Sequence, residues 1–172
     1  MKFTRDQVDF RLLKEEEKDD AIQFCIKVFT ETYTENTQEQ NDQFVAAVTR
    51  PGYKDSMVMY GLFVEGQMLG VTGFRPETNY WTVLYVDVKY QGCGLAKIIF
   101  RELIDIYGQR GPIYGIAKYN NLGLYQHWGM VPTDEPRVIS GMKVIPVVYF
   151  KLDDYFPKKT DGDLQISQGD VQ

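Results

Sequence analysis

Hydrophobic and polar residues alternate through the middle of the chain with the two-residue period that is typical of β-strands. Three such stretches, 56–65, 68–75 and 80–88, follow one another without a helical stretch between them. Turn residues separate them, Glu65-Gly66-Gln67 in the first gap and Pro76-Glu77-Thr78-Asn79 in the second. The pattern therefore predicts an antiparallel meander of three strands.

Apolar residues at helical spacing predict about four helices around this meander. The helices are predicted at about 15–29, 42–48, 95–108 and 122–128, and further strands at 9–13, at 112–117, just after 131 and at 144–152. After the meander, helices alternate with strands, which is typical of a sheet that is not uniformly parallel. We therefore expect an α/β protein with a mixed central sheet of six to seven strands.

The third strand of the meander runs directly into a turn with two glycines, Gln91-Gly92-Cys93-Gly94, and then into the third helix. Glycine lets the backbone approach a ligand closely, and the first N–H groups of a helix have no partner inside that helix. The turn is therefore a candidate site for a phosphate or pyrophosphate, although a turn without a ligand fits the same pattern. Two common nucleotide motifs do not fit. A dinucleotide fingerprint needs a third glycine farther along than Ala96, and a phosphate-binding loop needs Gly-Lys-Ser/Thr.

Length and composition limit the number of domains, the kinds of partner and the cellular compartment that we expect. The 172 residues suit one domain, 1–152, followed by a polar tail, 153–172, that we expect to fray. A net charge of −5 argues against non-specific nucleic-acid binding, and no apolar run approaches the ~20 residues of a membrane span. The first residues lack the apolar core of a signal peptide, and Cys25 and Cys93 alone do not make a disulfide framework. We therefore expect a cytoplasmic protein.

Two segments resemble the signatures of the GNAT superfamily of acetyl-CoA-dependent N-acetyltransferases. Gln91-x-x-Gly94-x-Ala96 is similar to its Gln/Arg-x-x-Gly-x-Gly/Ala motif, and Leu124-Tyr125-x-x-x-Gly129-Met130 is similar to its Leu-Tyr-x-x-x-Gly-Phe motif. The resemblance covers about 9–152 and implies a GNAT-like single domain. It implies an enzyme that moves an acetyl group from acetyl-CoA, without a metal, to a primary amine of a small molecule or peptide by direct attack. The alternative is a CoA-binding module of the same fold without catalysis.

The resemblance also assigns residues to the cosubstrate. Six backbone N–H groups are expected to hold the pyrophosphate, those of Gln91, Gly92, Cys93, Gly94, Leu95 and Ala96. Three strand residues are expected to pair with the pantetheine arm through their main chain, as a peptide adds to a sheet: Leu84, Tyr85 and Val86. Tyr125 matches the family's general acid toward the departing thiolate, and a tyrosine packed in the core is the alternative.

The chain departs from the family pattern at the end of the fifth strand. It also lacks the acidic catalytic base that family members usually carry on the fourth strand. Lys118 stands where members often carry Asn, so Asn120 and Asn121 are candidates for the missing contact to the cosubstrate, or else for the cap of the fourth helix. The strand 80–86 carries no carboxylate. Asp87 is the nearest candidate for the catalytic base and Glu77 the next, whereas a water relay would need neither side chain.

His127 and the acceptor complete the list of candidates. His127 is the single histidine and lies two residues from Tyr125, about 200° around a helix, so we expect it away from the acid. Four acidic residues between the first two helices would attract a cationic amine, although a solvated loop fits them as well: Glu31, Glu35, Glu39 and Asp42. The oligomeric state stays open, and a homodimer is one of the alternatives.

Overall fold

One mixed sheet forms the middle of the molecule in the computed structural model, which describes residues 1–139 and 141–151. Within these residues the sheet has eight strands in the order β1-β2-β3-β4-β5-β8-β6, with β7 paired to β8. The strands are β1 (Asp9–Leu12), β2 (Val58–Val64), β3 (Gln67–Arg75), β4 (Tyr80–Val86), β5 (Ile113–Lys118), β6 (Met130–Pro132), β7 (Arg137–Ile139) and β8 (Met142–Tyr149). Among them, β4 and β5 form the one parallel pair. The predicted mixed α/β class is therefore confirmed.

Four α-helices cover the two faces of the sheet: α1 (Lys18–Thr32), α2 (Gln38–Thr49), α3 (Leu95–Tyr107) and α4 (Leu122–His127). On one face, Ala21 and Cys25 of α1 and Val48 of α2 pack with Val71 and Val83 of the sheet. On the other face, buried residues of α3 and half-buried residues of α4 pack against the opposite side of the same strands. Each face thus buries its own apolar cluster, which is how a sheet with helices on both sides excludes water.

The start of the second helix and the number of strands differ from the sequence prediction, and other boundaries shift by a few residues. The helix α2 begins at Gln38, not near 42, because Thr37 and Gln40 form a capping box: the Thr37 Oγ1 accepts from the Gln40 N–H at 3.2 Å, and the Gln40 Oε1 accepts from the Thr37 N–H at 2.8 Å. The sheet has eight described strands, not six to seven, because the short strands β6 and β7 both pair with β8. The predicted polar tail, 153–172, lies outside the described residues.

Candidate active site

The two edges of β4 have different partners. Toward β3, β4 is paired from one end to the other except at Thr82, from Arg75 opposite Tyr80 to Gly70 opposite Val86. Toward β5, pairing is limited to Tyr80 opposite Tyr114 and Trp81 opposite Gly115. Beyond Trp81 no described strand pairs with this edge, so the main chain of 82–86 borders an opening in the sheet.

A β-bulge at Thr82 lies where the opening begins. Gly73 faces Val83 and Phe74 faces Trp81, so Thr82 has no partner across the pair. A bulge bends its strand and changes the side on which later residues lie. Accordingly Trp81 packs in the cluster of α3 and Val83 in the cluster of α1, although the two residues are two positions apart. The Thr72 hydroxyl stabilises this bend, because it donates to the Val83 carbonyl at 2.6 Å and accepts from the Trp81 Nε1–H at 2.8 Å.

The glycine turn lies at the carboxyl end of β4 and has a left-handed backbone. Gly92 has φ +77° and Gly94, the N-cap of α3, has φ +90°, values that residues with a Cβ rarely adopt. Among the described residues, no carbonyl or side chain accepts a hydrogen bond from the N–H of Gly92, Gly94, Leu95 or Ala96. These four N–H groups at the start of α3 are therefore available to an anion.

The other two predicted N–H groups of the turn are already used. The Gln91 N–H donates to the Val88 carbonyl at 3.4 Å and the Cys93 N–H to the Tyr90 carbonyl at 3.2 Å. The Cys93 carbonyl accepts from the Phe3 N–H at 2.9 Å, and the half-buried Cys93 thiol lies 3.9 Å from the Gln91 carbonyl. The N–H groups of Gln91 and Cys93, which the sequence prediction assigned to the pyrophosphate, are therefore bonded within the turn itself.

The side chain of Gln91 ties the turn to its surroundings. Its Nε2 donates to the Val86 carbonyl at 3.1 Å and to the Thr32 hydroxyl at 3.0 Å. Thr32 is the last residue of α1, so the end of this helix is held against the carboxyl end of β4. The sequence did not indicate this contact, because Gln91 and Thr32 are far apart along the chain.

Tyr125 lies on α4 next to the place where β4 and β5 part. Its half-buried ring is 5.7 Å from the ring of Trp81 and 5.6 Å from that of Trp128, measured between centroids. Its hydroxyl has no hydrogen-bond partner among the described residues and is not sealed from solvent. Burial raises the pKa of Tyr125 well above its usual value, and the neighbouring Tyr33 adds to the rise. The phenol therefore keeps its proton at neutral pH and can donate it.

The three predicted pantetheine residues alternate across the sheet. Leu84 packs with the α3 cluster and Val86 is buried in it, whereas Tyr85 faces α1 and α2. The Tyr85 ring lies edge-on to Phe29 and Phe44, with centroids 6.5 and 5.9 Å away, and burial raises its pKa well above the usual value. The main chain of all three borders the opening, while their side chains form its two walls.

Asp87 occupies a structural position. It is buried, with one carboxylate oxygen accepting from the Lys89 N–H at 2.9 Å and the other 3.7 Å from the Lys27 Nζ. It caps the short 3₁₀ turn 88–90 that leads into the glycine turn. Glu77 is exposed in the β3–β4 turn, at the other end of β4. This geometry favours a capping role for Asp87.

Asn121 and Lys118 both contact the segment that follows α1. Asn121 stands at the N-cap of α4, but its side chain makes no capping bond and its Nδ2 donates to the Tyr33 hydroxyl at 3.4 Å. Lys118, the last residue of β5, places its Nζ 3.0 Å from the Glu35 carboxylate and 3.4 Å from the centroid of the Tyr33 ring. Sequence reasoning missed Tyr33, since nothing in the local pattern links it to residues 85 positions away. His127 is exposed and does not join this group.

Other features of the surface do not add a second centre. In the described ranges, no three His, Cys, Asp or Glu side chains come together as a metal site. No described helix combines the length and the apolar character needed to cross a bilayer. A depression of about 500 Å³ lies beside β1 and the β2–β3 turn, where Arg11 is already paired with Glu17 at 2.7 Å.

A family model and several solved structures are similar to this chain. A family model described as the acetyltransferase (GNAT) domain matches residues 13–149. A GCN5-related N-acetyltransferase from Rhodopseudomonas palustris superposes with a TM-score of 0.72 at 13% identity, over 86% of this chain and 98% of that one. The PaiA N-acetyltransferase from Thermoplasma acidophilum, solved in complex with coenzyme A, superposes with a TM-score of 0.65 at 13% identity, over 81% and 97%.

A third structure with this fold is the ribosomal-protein-S18-alanine N-acetyltransferase from Escherichia coli. It superposes with a TM-score of 0.59 at 16% identity, over 83% of this chain and 92% of that one. No sequence in the set of curated proteins matches. At these identities the structures show the fold alone, whereas the family model covers most of the chain. This protein therefore belongs to the GNAT family of acetyltransferases.

Proposed function

We propose that this protein transfers an acetyl group from acetyl-CoA to a primary amine of a small molecule or peptide by direct attack. One observation carries the proposal: the unpaired edge of β4 leads from four free N–H groups, at Gly92, Gly94, Leu95 and Ala96, to the hydroxyl of Tyr125. Free N–H groups can bind an anion, and an unpaired strand edge can bind a peptide-like chain. In this protein the two lie side by side. Acetyl-CoA has both parts, a pyrophosphate and a pantetheine arm with two amides.

Two sets of main-chain groups would bind two different parts of the cosubstrate. The free N–H groups of the turn would hold the pyrophosphate, and the main chain of Leu84, Tyr85 and Val86 would hold the pantetheine arm. Bound there, acetyl-CoA supplies an acyl carbon that an amine can attack. The positive end of α3 adds to the attraction for the phosphates.

Tyr125 is the proposed general acid. As the new C–N bond forms and the C–S bond breaks, the departing sulfur takes the phenolic proton. Because burial raises the pKa of Tyr125, the phenol is fully protonated at neutral pH. Its hydroxyl has no competing partner among the described residues, so it is free to turn toward a ligand in the opening.

The proton of the attacking amine needs another route. We do not assign Asp87 as the base, since one of its carboxylate oxygens is bonded to the Lys89 N–H and the other faces Lys27. A relay of water molecules from the opening to solvent requires no carboxylate on β4, and we propose that such a relay accepts the proton.

Tyr125→Phe tests the proposal, with Tyr119→Phe as a matched control at an exposed tyrosine. Thiol release from acetyl-CoA would be followed with a panel of primary amines, and acetyl-CoA binding by calorimetry. We expect Tyr125→Phe to lose about 10²- to 10⁴-fold in turnover and to keep its affinity, while the control changes neither. Unchanged turnover in Tyr125→Phe would remove the assignment of the acid.

A CoA-binding module without catalysis is the second candidate. Lys118 at the position where family members often carry Asn favours it, as does the engaged carboxylate of Asp87. The same measurements separate the two candidates. A module binds acetyl-CoA with measurable heat and releases no thiol with any amine of the panel, whereas no heat at all would contradict both.

A further inference from the structure

The carboxyl ends of β4 and β5 are bridged by the end of α1 and the connection 33–37 that follows it. At the β4 side, Thr32 accepts a hydrogen bond from Gln91. At the β5 side, Tyr33 and Glu35 contact Lys118. The connection 33–37 between α1 and α2 therefore lies across one end of the opening that the proposed function uses.

The contacts of Lys118 are those of a bound ammonium group. Its Nζ lies 3.0 Å from a Glu35 carboxylate oxygen and 3.4 Å from the centroid of the Tyr33 ring, so one cation meets a negative charge and the negative face of a phenol together. The Lys118 side chain is 14% exposed although that of Glu35 is 61% exposed. Asn121 fixes the ring from its other end by donating to the Tyr33 hydroxyl.

We propose that Tyr33 and Glu35 form a binding site for a primary alkylammonium group, and that Lys118 occupies this site as an internal ligand. The site is built by one segment, 33–35, and filled from another, the end of β5. Lys118 thereby holds the connection 33–37 in place and neutralises Glu35. A consequence for acceptor amines rests on the proposed function. Lys118 competes with external cationic amines for Tyr33 and Glu35 at this end of the opening.

A vacancy created by mutation tests the site directly. In Lys118→Ala, hydrogen exchange of the amides of 33–37 should rise about tenfold, the loss expected for one charge-assisted contact of this kind. Added n-butylammonium, which reproduces the missing side chain, should restore the protection in a saturable way. n-Butanol, with the same carbon chain and no charge, should not.

Further variants test whether the charge of Lys118 and the carboxylate of Glu35 are responsible. Lys118→Met keeps most of the stem without the charge and should exchange as Lys118→Ala does, whereas Lys118→Arg should resemble the wild type. In Lys118→Ala with Glu35→Gln, n-butylammonium should no longer restore protection. Lys143→Ala removes a different lysine, whose Nζ lies 4.1 Å from the centroid of Tyr119, and should leave 33–37 unchanged.

Three results would overturn the site: unchanged exchange at 33–37 in both Lys118→Ala and Lys118→Met, equal rescue by n-butanol, or full rescue without the Glu35 carboxylate. Because these measurements contain no coenzyme, they fail or succeed independently of acetyl transfer. The acceptor consequence is read separately, as a KM for 1,4-diaminobutane about tenfold lower in Lys118→Ala than in the wild type. An unchanged KM would confine Lys118 to holding the connection.

Discussion

The two edges of β4 belong to the same seven residues and have opposite roles. The edge toward β3 is paired from Tyr80 to Val86, and the edge toward β5 is paired only at Tyr80 and Trp81. A paired edge satisfies its backbone groups inside the protein and contributes to stability. An unpaired edge leaves these groups to solvent or, as we propose, to the pantetheine arm of acetyl-CoA.

The comparison also shows how the open edge is kept open. The bulge at Thr82 lies where the pairing with β5 ends, and Thr72 and Trp81 hold it from the paired side. At the far end, Gln91 anchors the glycine turn to α1. The opening is thus maintained by contacts made on the closed edge and at the two ends of the strand.

Thr72→Val should affect the paired edge and have the largest effect on stability. Valine keeps the shape of the side chain but loses the hydrogen bond to the Val83 carbonyl and the one from the Trp81 Nε1–H. The Trp81 Nε1–H still donates to the Val83 carbonyl at 3.0 Å. We expect a loss of about 1–3 kcal/mol in the free energy of unfolding, measured in urea. Thr78→Val, in the exposed β3–β4 turn, is the control and should change little. Equal stabilities of the two variants would contradict the role of Thr72.

The pH dependence of stability should single out the tyrosine beside the open edge. Burial raises the pKa of Tyr125 in the native state, so above about pH 10 the unfolded chain loses a proton that the native protein keeps. The free energy of unfolding should then fall with rising pH, by up to about 1.4 kcal/mol per pH unit from this group. Tyr125→Phe should show a shallower decline between pH 9 and 11, whereas Tyr119→Phe should follow the wild type. Identical slopes in all three proteins would contradict the burial of the Tyr125 phenol.

Gly92→Ala should weaken cosubstrate binding at the open edge, whereas its matched control, Gly52→Ala, should not. Both glycines have φ near +80° and open space where a Cβ would be added, so both substitutions should cost about 1 kcal/mol of stability. Only Gly92 lies where the proposed pyrophosphate approaches the backbone. We expect acetyl-CoA binding to weaken roughly tenfold in Gly92→Ala and not in Gly52→Ala, by calorimetry. Equal affinities would mean that the turn does not contact the cosubstrate closely.

Much of the fold was accessible from the sequence because local patterns encode it. The alternation in 56–65 and 68–75 and the turn at Glu65-Gly66-Gln67 predicted a hairpin, which the structure forms from β2 and β3. The apolar stripe of α3 predicted a helix that buries Leu95, Ile99 and Leu103. The start of α2 was predicted too late, because the capping box of Thr37 precedes the apolar residues that marked the helix.

The candidate site was predictable only where a motif is continuous in sequence. The glycine turn and Tyr125 each belong to a short motif, so residues 91–96 and 125 could be singled out. Asp87 was chosen as a base for its position in sequence alone, and the structure shows that its carboxylate caps a turn and faces Lys27. Lys118, Glu35 and Tyr33 escaped attention as a group, because their proximity depends on how α1 and β5 are arranged.

By itself, the sequence determined which segments become strands and helices and which turn leaves N–H groups free, since periodicity and glycine act within a few residues. Only the tertiary structure decided that β5 leaves β4 after Trp81, that Tyr125 stands beside that point, and that Lys118 contacts Tyr33 and Glu35. The physical reason is distance along the chain. Contacts between residues far apart along the chain are fixed by the packing of whole elements, to which no local pattern refers.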